Sequence, residues 1–149
     1  MKQYKFRLQT VLEMKTRTLE DKRLEMAKVI KLLNEYQEKY DEMVQSQGGF
    51  KNDYDGFSTD GEINVFEIAN YQGYLVKLTE DIKKQWVLID QTKNLLKLKQ
   101  KAVNEALKDV KVLEKLKENQ SKRFYKSIEK KEENEIDDIV TARYKQDKV

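Results

Sequence analysis

The sequence contains no cysteine, no histidine and no proline, and only 5 glycines in 149 residues. Without Cys or His there is no zinc finger, Cys/His metal centre, Ser-His-Asp triad, thiol nucleophile or disulfide. Missing cysteine is compatible with a reducing compartment. Long apolar runs are absent too. The longest is Trp86-Val87-Leu88-Ile89, far short of the ~20 residues that span a bilayer. Met1-Lys2-Gln3-Tyr4-Lys5 leads into no apolar signal-peptide core, so a cytoplasmic chain is expected.

Charge is abundant. The 30 Lys+Arg and 27 Asp+Glu make up 38% of the chain, the same share as its hydrophobic residues. That balance, with a mean hydropathy of -0.89, suits a thin helical structure better than a globule with a thick core. Net charge is only +3, but it is unevenly spread. Residues 93–131 carry thirteen Lys/Arg against five Asp/Glu, whereas residues 41–62 carry Lys51 alone against six acidic residues.

Hydrophobic spacing sets the fold class. Leu12, Leu19, Met26, Leu33 and Tyr40 repeat every seven residues, beside a second row of Leu8, Lys15, Lys22, Val29, Tyr36 and Met43. Further along, Ile68, Leu75, Ile82, Ile89, Leu96, Val103 and Val110 repeat without a polar interruption, beside Tyr71, Leu78, Gln85, Thr92, Lys99, Ala106 and Leu113. Such runs point to coiled coil. Gly48, Gly49, Gly56 and Gly61 lie among polar residues and read as a loop, and Thr59 to Glu62 has capping-box spacing. The expectation is one all-α domain over 1–149: a helix over about 2–45, an acidic loop over about 46–60 and a longer helix over about 61–145. The two helices pack as an antiparallel coiled-coil hairpin. A turn near Asp55 pairs Tyr40 with Tyr71, Tyr36 with Leu75, and Leu12 with Lys99, with each polar seam residue facing an apolar one. Met1 then lies opposite Val110, and a C-terminal overhang of about 35 to 40 residues carries Leu113, Leu116, Phe124, Ile128, Ile136 and Ile139 as an unpartnered apolar stripe, expected to dock on another protein.

Few motifs suggest chemistry. From Lys51, the positions of Asp53, Asp55, Gly56 and Glu62 resemble an EF-hand loop, but Lys stands where the first acidic ligand belongs. A solvated acidic turn is expected instead. The basic stretch is interleaved with Glu105, Asp109, Glu114 and Glu118 and has few aromatics, which suits a solvated helix face rather than a nucleic-acid surface. No glycine loop fits a phosphate, and Asp137-Asp138 has no pocket that would raise a pKa. The chain is therefore expected not to be an enzyme and to need no cofactor. Tyr36, Tyr40, Tyr71 and Tyr74 should gather near the loop, with Tyr74 and Phe66 at the seam edge offering an aromatic docking patch.

Several segments together resemble the flagellar type III export protein FliJ family. They are Phe6-Arg7-Leu8-Gln9 with Val11-Leu12, Tyr36-Gln37 with Tyr40, and Asn70-Tyr71-Gln72 with Tyr74-Leu75. Towards the C-terminus they are Leu113-Glu114-Lys115-Leu116 and Ile136-Asp137-Asp138-Ile139 with Arg143-Tyr144. The resemblance implies a stalk-like adaptor that binds the ring-forming export ATPase, promotes its assembly or coupling, and reaches the cytoplasmic domain of the export gate and export chaperones. It implies a cytoplasmic protein peripherally associated with the inner membrane, with neither nucleic acid nor a small-molecule substrate as partner. A stalk of this kind would contact the ATPase ring at its open end, through Phe6, Arg7, Leu8, Leu113, Leu116, Arg123 and Phe124. Transferred by matching position, the resemblance assigns gate binding to Tyr36, Tyr40, Tyr74 and Leu78. A stalk of a virulence type III system and a self-associating tethering coiled coil remain as alternatives.

Overall fold

The structure, a computed structural model, describes residues 2–59 and 65–147, the side chains of residues 57–59 excepted. Two helices, α1 (Gln9–Thr59) and α2 (Val65–Asp147), pack against each other as an all-α helical hairpin, with no strand among the described residues. Chain contacts define two compact units: a central one, Lys22–Val103, and a terminal one, Met1–Asp21 with Asn104–Val149.

The seven-residue periodicity accounts for what is buried. Every α2 seam residue from Ile68 to Leu113 is buried or half-buried, while most residues between them are exposed. In the central unit Val29, Ile89 and Val103 are buried; in the terminal unit Phe6, Leu12, Leu19, Ala106 and Val110 are. Each Val, Leu, Ile or Phe side chain among them contributes about 1.5–3 kcal/mol relative to exposure. No side chain among the described residues is fully enclosed, as expected where only two helices meet.

Polar seam residues are satisfied in three ways. Gln85, 4% exposed, donates from Nε2 to the Tyr36 carbonyl at 3.0 Å. Thr92 donates its hydroxyl to the Leu88 carbonyl one turn back, at 2.7 Å. Lys99 reaches Glu25 Oε2 at 3.1 Å, an ion pair across the seam where an apolar opposite was expected. No buried side-chain polar atom lacks a partner among the described residues.

The expected loop is helix. α1 continues through residues 46–59, and its seam runs on as Tyr40, Gln47 and Tyr54 beside Tyr36, Met43 and Phe50, all half-buried. A Cβ added at Gly48, Gly49 or Gly56 would meet nothing within 4 Å, and none of the three has a positive φ. These glycines weaken the helix by roughly 0.5–1 kcal/mol each relative to alanine. Burial of the seam residues beside them offsets that cost. Thr59 ends α1, and the rest of the expected capping box, Asp60, Gly61 and Glu62, lies outside the described residues. At the other end α1 starts at Gln9 rather than near residue 2, after a tight bend in which the Gln9 N–H donates to the Phe6 carbonyl at 3.1 Å.

The longer first helix moves the pairing register. Gln47 Nε2 donates to the Thr79 hydroxyl at 2.9 Å, and Phe50 stacks on Tyr71 with ring centroids 4.2 Å apart. In the terminal unit Lys15 faces Asp109 at 3.9 Å and Lys117 Nζ donates to Gln9 Oε1 at 2.8 Å. Residue numbers across these pairs add to between 121 and 126, against about 111 for a turn at Asp55. The slip is close to two heptads, which leaves every residue on its expected face and changes only its partner.

Candidate binding surfaces

In the terminal unit the N-terminal residues cover much of what was expected to be bare. Tyr4 packs on Phe124 with ring centroids 5.5 Å apart, and its hydroxyl donates to Gln120 Oε1 at 2.8 Å. Phe6 is 7% exposed. Leu113, Leu116, Lys117, Ser121, Phe124 and Ile128 are half-buried, so the exposed part of α2 begins near Glu129 and is about half the expected overhang. All residues from Glu129 to Asp147 are exposed. Leu113, Leu116 and Phe124 thus belong to the hairpin seam and not to an unpartnered stripe, because the register slip brings the first residues of the chain alongside them.

Of the residues assigned to ATPase binding, Arg7 and Arg123 are exposed, Leu8 is at the margin at 37%, and the other four are covered to varying degree. Arg123 lies along one side of α2 with Lys126, Lys130 and Lys131, around an open depression also lined by Ser127 and Asn134. Nearby, the Lys122 ammonium donates to Glu118 at 3.0 Å and, with Lys115, holds the Glu118 carboxyl below its usual range. Beyond Phe124 the hairpin seam turns polar at Ser127, Lys131, Asn134 and Asp138. A separate apolar group appears at Ile136, Ile139 and Val140, each between 56% and 60% exposed.

In the central unit an aromatic cluster joins the two helices. Phe50 stacks on Tyr71, Tyr74 tilts against Phe50 at 4.5 Å, and Tyr54 lies 5.7 Å from Tyr71. Tyr74 keeps 49% of its surface exposed, and Phe66 keeps 82%. The residues assigned to gate binding divide into two groups. Tyr74 and Leu78 sit at or beside this cluster, whereas Tyr36 and Tyr40 are half-buried further along α1, where Gln85 holds the Tyr36 carbonyl. Eleven positions on α2 separate Gln85 from Tyr74, or roughly 16 Å at 1.5 Å per residue. The expected gathering of Tyr36 and Tyr40 with Tyr71 and Tyr74 is replaced by one built on Phe50 and Tyr54. Their signal was present in the sequence: Phe50 lies one heptad step beyond the seam residue Met43, and Tyr54 two steps beyond Tyr40.

No group of three or more acidic residues is placed to hold a metal among the described residues, and Lys51, Asp53, Asp55 and Gly56 of the EF-hand-like spacing are helical. Among the described residues two carboxyls are shifted, Glu25 and Glu118; both are pushed down by lysines beside them and sit at the surface. No helix is long and apolar enough to cross a membrane among the described residues.

A family model described as "Flagellar FliJ protein" matches residues 4–148. No curated protein and no solved structure matches the chain.

Proposed function

The chain belongs to the flagellar FliJ family, a family of non-catalytic components of flagellar protein export, and from that premise we propose that it acts as a stalk-like adaptor. Its terminal unit binds the ring-forming export ATPase and promotes ring assembly or coupling to export. The cytoplasmic domain of the export gate is engaged by the aromatic cluster of Phe50, Tyr71 and Tyr74 with Leu78, and export chaperones are further partners. The protein works at the inner membrane through these contacts and supports flagellum formation and motility.

The observation that carries this reading is the run from Glu129 to Asp147. Nineteen successive helical residues are exposed, and they display Ile136, Ile139 and Val140. A helix that buries none of its apolar residues within its own chain gains about 1.5–3 kcal/mol per aliphatic side chain when a partner covers it. The adaptor does no chemistry; it acts by binding one arrangement of the ATPase more tightly than another.

The test is ATP hydrolysis by the purified export ATPase with the full chain and with a variant ending at Ile128. The full chain is expected to raise the rate and the truncated one to leave it at baseline. Equal stimulation by both would remove the exposed helix from the ATPase contact. Tyr74→Ala should leave that stimulation intact and weaken gate binding about tenfold, the scale of a single aromatic anchor.

A further inference from the structure

One face of the exposed part of α2 is complementary in charge to its own reversal. Along one face, at steps of four, three and four residues, stand Glu132, Ile136, Ile139 and Arg143. Steps of three and four keep side chains on one side of a helix. Read backwards about a point midway between Asp137 and Asp138, the same face runs cation, apolar, apolar, anion. An antiparallel copy centred there sets Ile136 against Ile139 and Glu132 against Arg143, twice each by symmetry. Asp137 and Asp138 fall off this face, so their like charges do not meet across it.

We infer that two copies of this chain associate through residues 128–147 as an antiparallel helix pair. Charge complementarity selects the occupant. A parallel pair would stack Glu132 on Glu132 and Arg143 on Arg143, and an antiparallel pair centred further back, opposing the basic residues 122–131 to the acidic 132–138, would set Ile136 against Ser127. Only the arrangement centred at Asp137 matches charge and apolar surface together. Length agrees as well. The pair overlaps over twenty residues, or about 30 Å, and every residue of that span except the half-buried Ile128 is exposed.

The interface is narrow, so the dimer is weak and forms in the micromolar range. It uses the face assigned above to the ATPase, and on that reading the ring displaces the second copy. The pairing itself stands on oligomeric state alone and does not require the ATPase assignment.

The experiment is sedimentation equilibrium of the full chain across micromolar concentrations, without ATPase. A monomer–dimer equilibrium is expected. Ile136→Asp should abolish it without changing the melting temperature. Arg143→Glu should raise the dissociation constant about tenfold, because symmetry counts each surface ion pair twice, and adding Glu132→Arg should restore it. Orientation follows from the cysteine-free background: single-cysteine variants Glu132→Cys and Arg143→Cys should cross-link to each other when mixed, and far less to themselves. A monomer at all concentrations, a dimer indifferent to these changes, or self-linking of each variant would overturn the inference.

Discussion

Glu25 shows how little a charge needs burial to be tuned. Lys99 donates a hydrogen bond to it from across the seam and Lys22 lies 3.8 Å away on its own helix, so its carboxyl is held below the usual carboxylate range. A carboxyl with a lowered folded pKa adds stability above the ordinary carboxylate range and loses it as pH falls through the folded value. Wild type should therefore exceed Glu25→Gln in urea midpoint at neutral pH, and the gap should close on acidification. A gap that stayed constant with pH would rule out the ion pair as its source. Both side chains are partly exposed, so the neutral-pH gap is small and should shrink in salt. Gly48 and Gly49 lead to the opposite kind of expectation. Neither position needs glycine sterically, so Gly48→Ala and Gly49→Ala should each stabilise the chain by about 0.5–1 kcal/mol, read as a higher thermal midpoint with unchanged partner binding.

At the scale of the helices, register is the property that distinguishes sequence from structure. The faces of both helices were legible, down to the polar seam positions Gln85, Thr92 and Lys99, because burial follows a seven-residue repeat that can be read directly. The pairing was not, because a heptad pattern looks the same after a shift of whole heptads. Only the end of α1 could fix it, and glycines with polar neighbours gave the wrong end. Gln47, Phe50 and Tyr54 outweighed them by continuing the seam. The candidate sites followed suit: Tyr74 was found in its cluster, Phe50 and Tyr54 were missed, and Leu113, Leu116 and Phe124 were taken for bare. A short bis-maleimide should join Gln47→Cys to Thr79→Cys and fail with Tyr40→Cys and Tyr71→Cys, which the observed register holds roughly 20 Å apart along the helices. The reverse result would restore the earlier turn.

For the molecule as a whole, the residues that hold the hairpin together end well before α2 does. Among the described residues, buried hydrophobic side chains run from Phe6 to Val110 and none lies beyond Val110. A chain ending at Ile128 should then melt within a degree or two of full length, with an unchanged urea m-value, since m tracks the surface that folding hides. Helical signal should fall in proportion to the residues removed. A large drop in melting temperature would mean that the distal helix is packed in the free protein. The covering of α2 by the N-terminal residues has a further consequence for the order of assembly. Tyr4 and Gln120 are 116 positions apart in the sequence, against 32 for Gln47 and Thr79. A contact that closes a longer stretch of chain costs more conformational entropy. The pairing is therefore expected to grow from the Gln47–Thr79 end and to seat the N-terminal residues last.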